Sequence, residues 1–427
     1  MLIQFSIKNF RSLRDQQVFS MSASRYYDEM LEKNTIATDL TEKLPRILRS
    51  TGLYGPNASG KSTFVKALAF VKKMVIESAK DRQASEPIDV QPFRLSAATR
   101  SADSEFEIQF IEAGVRYQFG FCVNPTRVTE EWLYAFPNGH QQKWYHRVYD
   151  TDAQQYVYQF SKLFSGGRRR QDWKTSTRDN ALFLSTAIQL NNEQLRPVFD
   201  WFRKRLGIVR PDRLANNYTI EKCRDETAKA EILRFLQELD LSIEDIQIET
   251  VIFTLDTLLG KRSQEEQGEM IDEFGEVPYQ TPFFLHRDVD TGELIAFDEK
   301  EESDGTRNLF SFAGPWQDVM QNDRVLVVDE IDTSLHPKIV HRLIQLLHRK
   351  EGQAQLIFTA HDTSVMSQSI LRRDQIWLVE RSKHGESRLY PLSTFKKVRE
   401  HEAIEKGYLS GRYGAVPVLR AADPHGH

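Results

Sequence analysis

The strongest indicator of the fold is the segment Gly55-Pro56-Asn57-Ala58-Ser59-Gly60-Lys61-Ser62. It matches the pattern G-x-x-x-x-G-K-[ST] in full. A short apolar run ending in Leu53-Tyr54 leads directly into it. The apolar residues that follow it recur at the spacing of one helix face: Phe64, Leu68, Val71 and Val75. The sequence therefore predicts a strand, a loop and a helix in that order, which is the context this pattern requires.

A loop of this kind binds phosphate groups through its backbone. The N–H groups of Asn57 to Lys61 can wrap around phosphate oxygens at the positive end of the helix. Lys61 is predicted to reach the β- and γ-phosphates of a nucleoside triphosphate, and Ser62 a magnesium ion. Thr63 is predicted to contact a further phosphate oxygen. All eight residues of the loop are therefore candidate nucleotide-binding residues.

A second motif supports this interpretation. Four apolar residues, Val325-Leu326-Val327-Val328, lead into Asp329-Glu330, as in a Walker B element. Asp329 at the end of the strand would hold magnesium through water. Glu330 is placed to polarise the attacking water as a general base. The alternative, an acidic turn after a buried strand, is weaker beside the first motif.

A histidine follows the next predicted strand. Leu356-Ile357-Phe358 is continuous and apolar, and Thr359-Ala360-His361-Asp362 comes directly after it. Because carboxyl ends of parallel strands meet at one edge of a sheet, His361 is expected near the γ-phosphate. A lone histidine is often structural, and the position one strand after Asp329-Glu330 favours the catalytic interpretation.

These residues together resemble a known group. In chain order they are Asn9-Phe10-Arg11-Ser12, the phosphate loop, Ser303-Asp304-Gly305-Thr306, Asp329-Glu330-Ile331-Asp332 and His361. The order resembles ABC-type ATPases related to SMC and RecF heads. The segments Val328–Pro337 and Tyr408–Pro417 are similar to short, arm-less AAA/ABC ATPases such as the RloA and AbiL-type proteins of bacterial defence loci.

The resemblance implies further roles. Ser303 and Gly305 would belong to the signature motif that contacts ATP across a dimer interface, although the motif departs from the common Leu-Ser-Gly-Gly-Gln form. An exposed Ser-x-Gly at a helix start suits a γ-phosphate, while its plain alternative is an N-cap. Asp332 would lie in the D-loop that touches the opposite protomer, and Arg11 near the nucleotide.

A glutamine that contacts the metal is also expected from the resemblance. Gln189 follows the inserted strands, where SMC-like heads place their Q-loop. Gln91 follows the first long helix and is the competing candidate. Gln189 is favoured as a metal-site residue, and either glutamine could instead cap a turn.

The composition excludes several other classes. The 427 residues are 40% hydrophobic and 28% charged, with a net charge of −4, which is ordinary for a soluble globular protein. Cys122 and Cys223 are too few for a disulfide framework or a cysteine zinc site. No run approaches the roughly 18 apolar residues of a membrane span, and no secretory signal is evident. A cytoplasmic location is therefore expected.

The fold predicted is α/β, a P-loop NTPase of the ABC/SMC-head type with a mixed and parallel sheet. Period-two patterns predict an inserted antiparallel β-subdomain at about 101–160. The predicted segments are an N-terminal part of the ATPase head at 1–190, a helical subdomain with a mobile acidic loop at 191–284, and the C-terminal part of the head at 285–427. Residues 192 to about 246 are expected to be helical, and the acidic loop to span Gln264–Gln280.

Two basic clusters remain. Arg168-Arg169-Arg170 lies in a Gly-Gly loop and could contact nucleic-acid phosphates, while a solvated loop or a protein-binding surface is an equal alternative. Arg203-Lys204-Arg205 forms the second cluster. No nuclease constellation accompanies them, so the OLD-family nucleases, which append one to a similar ATPase, are a poor match.

The functional hypothesis is an ATPase that uses ATP and Mg²⁺ in a site completed by a second protomer. The resemblance implies a sensor or switch in bacterial anti-phage defence that controls an effector protein encoded nearby through ATP-dependent oligomerisation. The first alternative is an SMC- or RecF-like DNA repair ATPase. The second is a self-sufficient nuclease or toxin, which would need a metal-carboxylate site that the sequence does not offer.

Overall fold

The computed structural model describes residues 1–38, 46–81, 83–254, 276–349, 351–395 and 403–417. The strands are β1 (Leu2–Lys8), β2 (Gln17–Ser20), β3 (Thr35–Ala37), β4 (Arg46–Leu48), β5 (Ser50–Tyr54), β6 (Ser104–Glu112), β7 (Val115–Val123), β8 (Val128–Phe136), β9 (Gln142–Asp150), β10 (Gln155–Phe160), β11 (Leu206–Val209), β12 (Asp245–Thr254), β13 (Glu276–Arg287), β14 (Leu294–Asp298), β15 (Val325–Val328), β16 (Gln355–Ala360), β17 (Ile376–Arg381) and β18 (Ser387–Pro391). The helices are α1 (Leu31–Asn34), α2 (Lys61–Glu77), α3 (Ala97–Arg100), α4 (Arg169–Ser176), α5 (Phe183–Gln189), α6 (Arg196–Asp200), α7 (Asn217–Lys222), α8 (Glu226–Glu238), α9 (Asp304–Gln321), α10 (Pro337–Arg349) and α11 (Ile404–Leu409).

The chain forms two compact units. The first comprises Met1–Val209, Asn322–Asp332 and Val340–His427, and the second comprises Arg210–Gln321 and Thr333–Ile339. These bounds differ from the three segments expected from the sequence. Among the described residues, no helix is both long enough and apolar enough to span a membrane.

The first unit contains a six-stranded sheet in the order β11-β15-β16-β5-β17-β18. Its first five strands are parallel, and β18 returns antiparallel to β17. The apolar runs predicted as buried strands lie in β15, β16 and β17, and every residue of β15 is buried. The predicted α/β P-loop fold is thus confirmed, with β5 in the interior of the sheet and directly before the loop.

One strand of this sheet contradicts the expectation of helices throughout 192–246. Leu206-Gly207-Ile208-Val209 is β11, which pairs in parallel with β15 from Leu206 opposite Val325 to Val209 opposite Val328. Four residues are too few to show a strand period between helical segments. The ladder with β15, a tertiary interaction, decides their conformation.

The second sheet of this unit is the predicted antiparallel insertion. Its order is β10-β9-β8-β7-β6-β1-β2, so the inserted strands β6 to β10 extend the N-terminal hairpin. Helix α2 packs between the sheets, and its predicted apolar face is completely buried at Phe64 and Leu68. The Phe64 ring lies 5.8 Å from Phe5 of β1, centroid to centroid. Burial of such side chains contributes about 2 kcal/mol each, and it fixes the helix that follows the phosphate loop.

The second unit contains helices within the range expected to be helical, and it also contains a sheet that the sequence patterns did not predict. The sheet has the order β12-β13-β14 and is antiparallel. The helices include α8, which is capped by Asp225 through the N–H of Ala228 and buries Ile232 and Leu236. The expected acidic loop Gln264–Gln280 is wrong at its end, since Glu276–Gln280 belongs to β13. Residues 264–275 lie outside the described residues.

Candidate nucleotide-binding site

The phosphate loop joins the end of β5 to the start of α2. Ala58 and Gly60 both have positive φ, 59° and 117°, which curls the backbone into a concave turn at the N-terminus of the 17-residue helix. A side chain at Gly60 would place its Cβ 2.4 Å from Ser387 Oγ, and one at Gly55 would place it 2.1 Å from Val379 O. Both glycines are therefore required by neighbouring atoms as well as by the turn. The result is the anion-binding backbone that the motif predicted.

The Lys61 ammonium lies within this turn. Its Nζ donates to Gly55 O at 2.6 Å and to Pro56 O at 3.2 Å, and it lies 3.5 Å from His361 Nδ1. Burial lowers the pKa of Lys61, and the nearby carboxylates, including those of Asp332 and Glu330, oppose that shift. A buried ammonium held by carbonyl oxygens is well placed to exchange them for phosphate oxygens.

The two nucleotide motifs meet at Ser62 and Asp329. Ser62 Oγ donates to Asp329 Oδ1 at 3.2 Å, and Thr359 Oγ1 donates to the same oxygen at 2.8 Å. Thr359 Oγ1 also accepts the backbone N–H of Glu330 at 2.7 Å. The register of β15 and β16, which places Val328 opposite Phe358, brings these groups together. Thr359 therefore fixes both acidic residues at the edge of the sheet, a role that the sequence did not reveal.

Glu330 and His361 follow two neighbouring strands and both face the loop. Glu330 has φ 57°, so the chain turns sharply at that residue after β15. His361 follows β16, and its backbone N–H donates to Asp332 Oδ2 at 2.8 Å. The backbone N–H of Asp362 donates to the same oxygen at 2.7 Å. Asp332, predicted to touch the opposite protomer, thus supports the histidine segment within its own chain.

Residues Asn57 to Thr63, together with Glu330 and His361, line one cleft of about 510 Å³, a volume suited to a small-molecule ligand. The lining residues are Arg11, Ser12, Asn57, Ala58, Ser59, Gly60, Lys61, Ser62, Thr63, Lys66, Glu330, His361 and Arg381. Arg11, predicted near the nucleotide, lies here, and its backbone N–H donates to Gln91 O at 2.7 Å. Ser12, Lys66 and Arg381 were not predicted as site residues.

Gln189 lies apart from this cleft. It is the last residue of α5, it is exposed, and it is absent from the lining of the cleft. The competing candidate Gln91 is adjacent to Arg11 through its backbone oxygen. The structure therefore does not bring Gln189 to Ser62 and Asp329, and its role in the metal site stays a prediction.

The predicted signature residues lie in the second unit. Ser303 is exposed at the start of α9, and its Oγ accepts the N–H of Thr306 at 3.1 Å, which is an N-cap. A Cβ at Gly305 would lie 3.0 Å from Ser334 O. The contact of Ser303 and Gly305 with a nucleotide of another protomer stays a prediction.

The predicted basic cluster has a mixed arrangement. Arg168 and Arg169 are exposed, and Arg169 begins α4, so the cluster is not entirely in a loop as expected. The Arg170 guanidinium lies 5.7 Å from the ring centroid of Phe160 and 5.6 Å from that of Phe164. Arg168 and Arg169 are thus exposed to solvent, whereas the neighbouring Arg170 packs on aromatic rings.

The cleft fits a nucleoside triphosphate with Mg²⁺. The hydroxyl of Ser62 and the carboxylate of Asp329 are oxygen donors of the kind that Mg²⁺ prefers, and they already converge. In the described part of the chain, no group of three or more His, Cys, Asp or Glu side chains could hold a metal ion. A magnesium ion here would therefore share its coordination between Ser62, Asp329, water and phosphate oxygens, as phosphate-binding sites usually do.

Comparison with known proteins agrees with this geometry. Residues 50–367 match the family described as "AAA domain, putative AbiEii toxin, Type IV TA system". The chain belongs to this family. The match includes the phosphate loop, Asp329-Glu330 and His361 of this AbiEii-type AAA domain. No curated protein matches the chain in sequence.

Three solved structures are similar to this AbiEii-type chain over most of its length. The SMC head domain from Thermotoga maritima is 14% identical, with 91% of this chain and 98% of that chain covered and a TM-score of 0.39. An SMC head bound to the C-winged helix domain of ScpA is 13% identical, covers 91% and 97%, and has a TM-score of 0.43. An SMC head with an extended coiled coil, bound to the C-terminal domain of ScpA derived from Pyrococcus furiosus, is 14% identical, covers 91% and 96%, and has a TM-score of 0.40. Because these TM-scores are low, the fold assignment rests on the strand order and the loop geometry.

Proposed function

We propose that this chain binds ATP with Mg²⁺ and hydrolyses it to ADP and phosphate. The observation that carries the proposal is the hydrogen bond of 3.2 Å from Ser62 to the buried Asp329, because Ser62 lines the same cleft as Glu330 and His361. Membership of the AAA family supports it.

The residues of the cleft have different roles in binding and hydrolysis. The backbone N–H groups of the loop and the buried Lys61 ammonium bind the phosphates, because they are donors held in fixed positions by the turn. Glu330 accepts a proton from the attacking water, and His361, whose ring lies beside Lys61 Nζ, donates a ring N–H to the γ-phosphate. Bound Mg²⁺ supplies charge neutralisation on the phosphate oxygens.

The ATPase proposal is tested with Lys61→Ala. Loss of the ammonium removes the cation that faces the phosphates, so nucleotide binding or turnover should be abolished. Lys73→Ala changes an exposed lysine of the same helix and serves as the matched control. ATP binding by calorimetry and phosphate release are measured for both. Wild-type turnover in Lys61→Ala would reject the assignment of the site.

The site is proposed to be completed by a second copy of the chain, with Ser303 and Gly305 contacting ATP across the interface. The exposed N-terminus of α9 supports this proposal. Glu330→Gln should bind ATP but hydrolyse it slowly, and thereby accumulate a closed dimer or larger assembly. Light scattering with and without ATP measures the mass. An ATP-independent mass in Glu330→Gln would contradict the composite site.

The biological setting proposed is bacterial anti-phage defence. The family description refers to an AbiEii toxin and a toxin–antitoxin system. This chain would act as a sensor or switch that controls an effector protein encoded nearby through ATP-dependent oligomerisation. Co-purification with the product of the neighbouring gene, with and without ATP, is the direct test. A partner whose association is unaffected by ATP and by Glu330→Gln would contradict the switch.

The alternative of a DNA- or RNA-binding ATPase has one supporting observation. Arg168 and Arg169 are exposed beside Arg170, and exposed cations can neutralise the phosphates of a nucleic-acid backbone. Reversal of Arg168 and Arg169 to Glu should weaken DNA or RNA binding and reduce the salt slope. A double reversal of Lys300 and Lys338 to Glu, at two exposed lysines of the second unit, changes the net charge equally and serves as the control. Equal affinity and salt slope in the double reversal would dismiss this surface.

A further inference from the structure

The strands on the two sides of β5 bring different chemistry to the cleft. On one side, β15 and β16 end at the residues assigned to hydrolysis, Glu330 and His361. On the other side, β17 pairs with β5 and ends at Arg381, which also lines the cleft. Arg381 thus approaches the phosphate loop from the side opposite to the hydrolytic residues.

The hairpin of β17 and β18 is firmly attached to the phosphate loop. The Val379 carbonyl packs where a Cβ of Gly55 would lie. Ser387, directly opposite Arg381 in the β17–β18 register, is buried, and its Oγ lies 2.5 Å from Ser59 O. The same Oγ lies 2.8 Å from Ser12 Oγ. These short contacts therefore fix the position of the Arg381 backbone relative to the phosphate loop.

The Arg381 guanidinium remains available for a ligand. Its Nε donates to Gly385 O at 3.2 Å, and the residue is exposed. Within the part of the chain that the structure describes, no carboxylate forms an ion pair with it. The cleft is lined by the cations of Arg11, Lys61, Lys66 and Arg381 and by one carboxylate, that of Glu330. Such an excess of positive charge suits a polyphosphate, and a guanidinium binds phosphate oxygens in a fixed geometry.

We propose that Arg381 binds the α-phosphate of the nucleotide and so sets its affinity without taking part in hydrolysis. The inference rests on the proposed ATP site. If the γ-phosphate lies toward Glu330 and His361, the phosphate chain extends along the loop toward β17. The first phosphate on that side of the loop is the one attached to the nucleoside, and Arg381 is the cation that β17 presents there.

The experiment compares the binding of three ligands to Arg381→Gln by calorimetry: ATP, inorganic tripolyphosphate and pyrophosphate. Loss of a charge-assisted hydrogen bond should weaken ATP and tripolyphosphate about tenfold. Pyrophosphate is expected to occupy the β and γ positions beside Lys61, and it should then bind with nearly unchanged affinity. Turnover at saturating ATP should stay within about twofold of wild type, since the lost interaction is made equally in the ground and transition states. Arg388→Gln, an exposed arginine of β18 outside the cleft, is the matched control.

Three outcomes would overturn the inference. The first is an unchanged affinity of Arg381→Gln for ATP, and the second is an equal loss of affinity for pyrophosphate. The third is a loss of affinity for ATP that tripolyphosphate does not share, which would place the contact on the nucleoside. Arg381→Lys keeps the charge and should recover part of the affinity, which separates binding from folding defects. Wild-type protein that binds none of the three ligands would instead refute the ATP site itself.

Discussion

The carboxylate of Asp332 holds the backbone of His361: Asp332 Oδ2 accepts the His361 N–H at 2.8 Å. Because the same oxygen also accepts the N–H of Asp362 at 2.7 Å, two successive peptide groups are anchored by one carboxylate. Charge-assisted hydrogen bonds of this kind are stronger than neutral ones. The orientation of His361 toward Lys61 is thus set by a residue that follows a different strand.

The first prediction concerns Asp332→Ala. Loss of both hydrogen bonds should release the segment after β16, so single-turnover hydrolysis should fall about tenfold or more while ATP affinity changes little. Asp332→Asn keeps an oxygen acceptor and should retain more activity than Asp332→Ala. Rapid-quench measurement of bound ATP checks the rate. Hydrolysis at the wild-type rate with defective assembly would show that Asp332 acts only across a protomer interface.

The second prediction concerns the hydroxyl of Ser62. Ser62→Ala removes the group that hydrogen-bonds Asp329 and is expected to bind Mg²⁺. The Mg²⁺ concentration needed for half-maximal turnover should rise about tenfold, as expected when a ligand of a hard cation is lost. Ser62→Thr keeps the hydroxyl and should restore wild-type Mg²⁺ dependence. An identical Mg²⁺ titration for Ser62→Ala and wild type would remove Ser62 from the metal site.

Site residues that belong to a local sequence motif could be predicted from the sequence. Lys61, Ser62, Asp329 and His361 each lie within a few residues of a strand end, and parallel strands bring those ends to one edge. Glycine spacing and apolar runs therefore carried enough information to place them together. The antiparallel insertion could be predicted equally well, because its strands are long and their apolar residues alternate with polar ones.

Residues brought together by sheet order could not be predicted in this way. Arg381 and Ser387 have no motif of their own, and only the pairing of β17 with β5 places them at the loop. The strand β11 is four residues long and depends on its ladder with β15. Gln189 was placed by analogy alone, and the exposed end of α5 does not carry it to the cleft. Local sequence patterns thus identified the residues of the two nucleotide motifs, whereas long-range strand pairing determined which other residues lie beside them.

The third prediction concerns acid stability through His348. The ring nitrogen Nε2 lies 2.8 Å from Ser50 Oγ of β5, and burial lowers the pKa of His348 to about 3. Below the ordinary histidine pKa near 6.5, His348 therefore binds a proton in the unfolded chain but stays neutral in the folded chain. Stability should fall as the pH drops from about 6.5 toward 3, by up to about 2 kcal/mol at pH 5.

The check is a series of thermal unfolding curves between pH 7.5 and 5. His348→Gln cannot take up the proton, so its melting temperature should fall less steeply with pH than that of the wild type. His384→Gln, at an exposed histidine of the β17–β18 turn, is the matched control for the replacement of one imidazole. Parallel curves for wild type and His348→Gln would contradict the assignment.

The fourth prediction concerns a buried ion pair of the antiparallel sheet. Glu131 and Arg147 are both fully buried, with Glu131 Oε2 3.6 Å from Arg147 Nη1. Glu131 also accepts the backbone N–H groups of Phe183 at 2.6 Å and Leu184 at 3.0 Å, which are the first residues of α5. Arg147 donates to Ala181 O at 2.8 Å. The pair therefore anchors the start of α5 to the sheet.

Removal of one partner leaves the other charge buried without compensation, so Glu131→Ala should cost about 3–5 kcal/mol. Hydrogen exchange at the Phe183 and Leu184 amides should accelerate strongly, because those groups lose their acceptor. Arg147→Ala should destabilise similarly, and the double variant should be less destabilised than the two single effects together, because neither charge is then left alone. Glu130→Ala, the partly exposed neighbour on the same strand, is the control. Additive losses, with amide exchange at Phe183 and Leu184 unchanged, would show that α5 is held by its apolar contacts and not by this pair.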